Sequence, residues 1–225
     1  MSPTHKKEPA MRIGILGTGT LAAALGEAWS RAGHQVVVGG RSPARAQALA
    51  HRLGHGVRAA APREAVAGCD AVLLTVAWAG VEDMLRESGA CEGALAGTPL
   101  IDPTNAVEHG VGVLLTDAGD SAAERIGRLA PGAHVVKAFH LVPAEQWSAG
   151  TANGADSPVT VPICGDDPAA VELVGRLVRD VGAVPALFGT LDRVRQLEEV
   201  AGFVIGLAFA GTDPSSAIPR VGGAR

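Results

Sequence analysis

The chain has 225 residues, 47% of them hydrophobic and 3% aromatic, with no tyrosine and a formal net charge of −4. That apolar content predicts a folded core rather than disorder, and a pI of about 6.0 gives no electrostatic ground for nucleic acid as a partner. The missing tyrosine excludes any mechanism built on a tyrosine proton donor.

Residues 1–10, MSPTHKKEPA, read as a flexible N-terminal arm. The spacing then predicts a strand over 12–16, a helix over 21–32 stopped by Gly33, a strand over 35–38, and a helix over 43–53 with Pro43 in its first turn and Gly54 after its end. A strand over 57–60, a short helix over 62–68, a strand over 71–76 and a helix over 81–88 follow. A strand over 99–102, a helix over 121–129 and a strand over 134–139 complete the alternation. Residues 141–157 read as irregular. Beyond them come a strand over 159–164, a helix from Pro168 to about Val181, a strand over 184–188 and a long helix over 191–210. The apolar run 200–210 is too short to span a bilayer, so it reads as mostly buried core, with a dimer contact as the alternative. No membrane association is expected.

Six strands separated by helices predict an α/β fold of Rossmann type, a doubly wound parallel sheet over residues 11–142, with a small α/β C-terminal portion over 143–225. Ligands of such sheets sit at the carboxyl ends of the strands. Those ends are Gly17, Gly39–Ser42, Ala77–Trp78, Pro103–Asn105 and His140. The three cysteines form no CxxC pair, so neither a disulfide framework nor a metal site is expected. Reduced thiols suit a cytoplasmic protein.

Gly17-Thr18-Gly19-Thr20-Leu21-Ala22 joins the first strand to the first helix and fits G-x-G-x-x-G/A. Gly17 permits the tight turn, Gly19 lets backbone approach a pyrophosphate, and Ala22 keeps helix and strand close. The helix start supplies N–H donors for phosphate. After the second strand, an acidic residue would bind the adenosine ribose and repel a 2′-phosphate. This chain has Gly39, Gly40, Arg41 and Ser42 there, and no Asp or Glu between Glu27 and Glu64. Arg41, Ser42 and Arg45 one turn on favour NADP over NAD. The plainer reading makes Ser42 a helix cap and Arg41 a solvated side chain.

Several stretches together resemble the coenzyme F420-dependent NADP oxidoreductase family: "IGILGTGTLAAALGEAWSRAGHQVVVGGRSP", "AVLLTVAW", "VVKAFHLVPAEQW", "VPICGDDPAAVELVGRLVRDVG" and "FGTLDRVRQLEEV". The resemblance implies reversible hydride transfer between NADP(H) and the deazaflavin coenzyme F420, often in a homodimer. It implies cofactor contacts from Thr18, Gly19, Thr20, Leu21, Arg41 and Ser42, and from His140, Leu141 and Val142. "GGRS" stands where the family more usually has "GSR", and "DPTN" resembles a strand end that also occurs in relatives with other substrates.

Direct hydride transfer needs position and a dry cavity more than an acid or base. His140 could bond a ring carbonyl or act as a proton donor, or be tied to a backbone carbonyl. Trp78 could wall the nicotinamide or only cover the sheet end. Asn105 could contact the nicotinamide ribose or cap a loop. Two alternatives stay open: an NADPH-dependent reductase of a small organic substrate such as an imine, and a non-catalytic dinucleotide-sensing module.

Overall fold

A computed structural model of the chain describes residues 9–54, 56–147 and 158–218. Most of the expected arm, residues 148–157 of the expected irregular stretch, and the tail from 219 lie outside the described residues.

Among the described residues eight strands form one sheet, in the order β3-β2-β1-β4-β5-β6-β7-β8. They are β1 (Arg12–Leu16), β2 (Gln35–Gly39), β3 (Val57–Ala60), β4 (Ala71–Leu74), β5 (Pro99–Asp102), β6 (His134–Lys137), β7 (Thr160–Gly165) and β8 (Val184–Gly189). Strands β1 to β6 pair in parallel, as the helical crossovers demand. The β6–β7 pair is antiparallel, and β8 lies parallel to β7. The C-terminal strands therefore extend the dinucleotide-type sheet. The order reverses between β1 and β4, which is the switch point where such sheets bind ligands.

Among the described residues seven α-helices cover both faces: α1 (Thr20–Ala32), α2 (Pro43–Leu53), α3 (Pro62–Val66), α4 (Val81–Glu87), α5 (Ala122–Leu129), α6 (Pro168–Asp180) and α7 (Val194–Phe209). The alternation of side chains along each strand divides the core in two. Ile13, Ile15, Val36, Val38 and Leu73 face one way and pack with Leu25 and Trp29 of α1, Leu49 of α2 and Leu177 of α6. Leu16, Val72, Leu74, Leu100 and Val135 face the other way, against Met84 and Leu85 of α4, Ile126 of α5 and Leu197 of α7. Strands buried on both faces explain why β1, β4 and β5 read as unbroken apolar runs. A leucine on such a strand contributes about 1.5–3 kcal/mol by its burial.

Several boundaries differ from expectation. β4 stops at Leu74, and just past its end the N–H and the hydroxyl of Thr75 both donate to the Leu16 carbonyl, at 2.8 and 3.2 Å. A 3-10 turn over Trp78–Gly80 then leads into α4. β6 stops at Lys137, because Phe139 takes a left-handed backbone, φ 64°. It is the one non-glycine residue with positive φ among those described. The expected helix over 191–210 begins as a 3-10 turn at Leu191–Arg193 and becomes α-helical at Val194.

One expectation fails. The run 200–210 is not mostly buried. Val200, Phe203 and Phe209 are 41%, 51% and 55% exposed. The buried residues of α7 all lie at or before Gly202: Val194, Leu197, Glu198, Ala201 and Gly202 itself. Its second half lies against the 107–115 segment, where the Phe209 ring meets His109 edge-on at 4.7 Å. There Gly112, φ 83°, comes so near that a Cβ on it would lie 2.1 Å from the Gly202 carbonyl oxygen. Val111, Val113 and Leu115 of that segment are also exposed, so the two pieces make one apolar patch.

Candidate dinucleotide site

The C-terminal edge of the sheet carries the expected residues in strand order. Gly39–Ser42 end β2, Gly17–Thr20 end β1, Ala77 and Trp78 follow β4, Asn105 follows β5, and His140 follows β6. These are five adjacent strands at ~4.8 Å spacing, a span of about 19 Å along one edge.

At β1 the glycines act differently from one another. Gly17 has φ 134°, and a Cβ there would lie 2.2 Å from the Thr75 carbonyl oxygen. Its N–H donates to the Gly39 carbonyl at 2.8 Å, tying the ends of β1 and β2. Gly17 is thus required by the fold itself. Gly19 has an ordinary φ of −80°, and a Cβ on it would meet nothing within 4 Å. Gly19 and Thr20 are exposed, Thr18 and Leu21 half-buried, and Ala22 buried. The space in front of Gly19 is therefore open to a ligand rather than filled by protein.

Gly19 is also the N-cap of α1, which has no capping side chain and no acid in its first turn. Helices α2, α5 and α6 are capped by Ser42, Ser121 and Asp167, whereas α3, α4 and α7, like α1, have no side-chain cap. The first N–H groups of α1 are left pointing out of the sheet edge with the positive end of the helix dipole, an arrangement suited to an anion.

At the end of β2, both readings of Ser42 have support. Its hydroxyl accepts from the Arg45 N–H at 3.4 Å, so it does cap α2, and it stays half-buried at the site edge. The exposed Arg41 and Arg45 side chains make no ion pair or side-chain hydrogen bond among the described residues. Arg41 reaches across to Gly80, where a Cβ would lie 3.6 Å from its Nη2. It walls a pocket of about 320 Å³ with Gly40, Pro43, Ala60, Pro62 and Glu87. Trp78 is half-buried and packs against the core below the β4 end, while Ala77 is exposed.

At β5 and β6 the chain brings together two residues that the sequence only marked separately. Asn105 Nδ2 donates to the His140 carbonyl at 2.8 Å. Three buried polar atoms at this contact have no partner among the described residues: Asn105 Oδ1 and both ring nitrogens of His140. Buried polar atoms are nearly always satisfied, so three together call for an explanation such as a ligand. His140 is 5% exposed. Burial first, and the Lys137 charge second, hold its pKa well below 6.5. The ring is therefore neutral at pH 7, with one nitrogen a donor and the other an acceptor. Such a ring is poorly suited to act as an imidazolium acid. Leu141 and Val142 are half-buried beyond it, and Val142 packs on the same core as Leu21.

Sequence reasoning missed the ion cluster beside this contact. Lys137 is wholly buried, with Nζ 3.0 Å from Asp102 Oδ2 and 3.1 Å from Glu198 Oε1. A signal was present: Asp102 and Lys137 are opposite charges at the ends of two apolar strands, and they are direct register partners across β5 and β6. Among the described residues no group of three His, Cys, Asp or Glu side chains could hold a metal ion, and no helix is long and apolar enough to cross a membrane.

Residues 12–106 match the family model described as NADP oxidoreductase coenzyme F420-dependent, which bears out the resemblance. Metalloreductase STEAP3 of Rattus norvegicus is 32% identical over 195 residues, 85% of this chain and 36% of that protein. The chain spans about a third of the length of the curated relatives it matches. The crystal structure of a proposed F420-dependent NADP-reductase from Arthrobacter sp. FB24 superposes with a TM-score of 0.77 at 27% identity, covering 90% of this chain and 96% of that one. An imine reductase of Streptomyces aurantiacus, 19% identical, shares the fold, with a TM-score of 0.60 over 88% of this chain and 60% of its own.

Proposed function

With residues 12–106 matching the F420-dependent NADP oxidoreductase family, we propose that the chain is an NADP-dependent oxidoreductase that moves hydride between NADP(H) and coenzyme F420. The observation that carries the nucleotide half is the pairing of an uncapped α1 start with an Arg41 that has no partner among the described residues, at the end of a β2 that carries no carboxylate of its own to bind a ribose in place of a 2′-phosphate. In this reading the α1 N–H groups and the open face of Gly19 hold the pyrophosphate. Arg41, with Ser42 and Arg45, holds the 2′-phosphate, and the adenosine lies in the pocket beside Arg41. Trp78, Asn105, His140, Leu141 and Val142 line the nicotinamide half.

When bound, NADP(H) and the deazaflavin supply the two carbons between which hydride passes. The chain's own residues orient them and exclude water. His140 and Asn105 fit that work through their unsatisfied donor and acceptor atoms, which match the amide-like edge of either ring. Both reactions consume one proton with the hydride. The reduced deazaflavin spreads the added negative charge over its ring and can take its proton from solvent afterwards, whereas an imine or carbonyl needs the proton delivered to its nitrogen or oxygen as the hydride arrives. A neutral, buried His140 in a chain without tyrosine is poorly suited to give one, which favours ring-to-ring transfer. We further propose a homodimer in the cytoplasm, formed through the apolar patch of α7 and segment 107–115. The cysteines Cys69, Cys91 and Cys164 are unpaired, in keeping with a reducing compartment.

The test is to mix the protein with NADPH and oxidised F420 and follow the visible absorbance of the deazaflavin. Rapid bleaching with NADPH, and little with NADH, is the expected result. Protein that binds NADPH but leaves F420 oxidised would turn the assignment toward an organic acceptor. Absence of NADPH binding would sink it altogether.

A further inference from the structure

The ion cluster around Lys137 is placed where it can govern the nicotinamide half of the site. The three protons of its ammonium meet three acceptors: Asp102 Oδ2 at 3.0 Å, the Thr104 carbonyl at 2.6 Å and Glu198 Oε1 at 3.1 Å. Two of the three belong to the segment just before Asn105. Asp102 holds the same segment from its other side, since Oδ1 accepts from the Thr104 N–H at 2.8 Å and its hydroxyl at 2.6 Å. Thr104 is thereby fixed at its N–H, its hydroxyl and its carbonyl. Glu198 is fixed in turn, accepting from the Ala122 and Ala123 N–H groups at 2.9 and 3.1 Å at the start of α5.

Stability alone does not account for this arrangement, because apolar residues of similar volume often replace a buried ion pair at no loss. An apolar side chain cannot hold the Thr104 carbonyl. We infer that Lys137 is a positioning residue for the nicotinamide half of the dinucleotide site, acting through the 102–104 turn to set Asn105 against His140. Lys137 touches no ligand in this scheme. It fixes where the unsatisfied Asn105 Oδ1 and the His140 ring lie. The inference rests on the placement of the nicotinamide beside β5 and β6 proposed above.

The test compares two ligands by calorimetry: NADP+, which would fill both halves, and 2′,5′-ADP, which would fill only the Arg41 half. Lys137→Met should weaken NADP+ by fivefold or more and leave 2′,5′-ADP within twofold. Asn105→Ala should do the same, and the double variant should bind NADP+ no more weakly than Asn105→Ala alone, because both substitutions remove one arrangement. Equal losses for the two ligands, no loss for either, or full additivity in the double variant would overturn the inference. If Lys137→Met does not fold, Glu198→Gln keeps the ammonium and the side-chain shape. It should give a smaller loss selective for NADP+, and an unselective loss or none would overturn the inference. Failure of the underlying placement looks different: the wild-type protein would then bind NADP+ no more tightly than 2′,5′-ADP, and the role of Lys137 would fall with it.

Discussion

The two halves of the candidate site are built by different means. The half at β1 and β2 is made by neighbours in sequence: the turn at Gly17, the open face of Gly19, the cap at Ser42 and the unpaired Arg41 all fall within 17–45. The half at β5 and β6 is assembled from distant segments. Asn105 meets His140 35 positions away, and Lys137 meets Glu198 61 positions away. Anion capture needs a helix start and a cation, which a local stretch can supply. Placing a flat ring to within a fraction of an ångström needs side chains locked from several directions.

The difference can be broken most severely at Lys137. Lys137→Met leaves Asp102 and Glu198 as buried carboxylates without their cation, and should lower unfolding stability by about 3–5 kcal/mol in a urea titration. A loss below about 1 kcal/mol would show the long-range half to be loosely held. The local half should behave in the opposite way. Gly19→Val adds a side chain into open space, so the melting temperature should stay near that of the wild type. Binding of NADPH and NADH should both fall by roughly a hundredfold or more, because the valine would occupy the approach to the α1 N–H groups. Retained micromolar affinity in a fluorescence titration would remove the loop from the site.

Arg41→Ala should separate the dinucleotides. Loss of one exposed, charge-assisted contact is worth about 1.5 kcal/mol, roughly tenfold in the Kd of NADPH, with NADH nearly unchanged. Equal losses would show that Arg41 does not read the 2′-phosphate.

The smallest expected effect concerns pH. The folded protein holds the His140 pKa well below 6.5, while the unfolded chain does not. The unfolded state therefore takes up the proton first as pH falls. Stability attached to His140 should be fully present above about pH 6.5 and should decline as pH drops below it. In His140→Gln that part of the decline should be missing. Identical slopes for both proteins in urea unfolding between about pH 5 and 7 would contradict the burial of a neutral ring.

The same division explains what is legible in the sequence. β1, β3 and β5 end where their apolar runs predict, and for β1 and β5 burial on both faces leaves a continuous signal. The glycine loop and the absent acid after β2 are legible because they are short-range chemistry. β6 is two residues shorter than its apolar run predicts, because nothing local announces a left-handed Phe139. That residue is held between the rings of Trp29 and Trp147, with centroids 6.0 and 5.4 Å away. The second half of α7 reads as core because an apolar stretch looks the same whether covered or not. Lys137 carries no such signal by itself, since one buried lysine means little until its register partner Asp102 is known.

The bare start of α1 has a consequence for the life of the protein in a cell. Helices α2, α5 and α6 carry caps of their own, but α1 opens at the ligand edge of the sheet with no capping side chain, and in the proposed site a phosphate supplies its counter-charge. A dinucleotide held there, as proposed, would bind the folded chain and not the unfolded one, so occupancy and folding would be linked. At a concentration about one hundred times the dissociation constant, that linkage adds about 2.7 kcal/mol to stability. The supply of the dinucleotide would then set how much folded protein survives, and a cell short of it would lose the protein as well as the reaction.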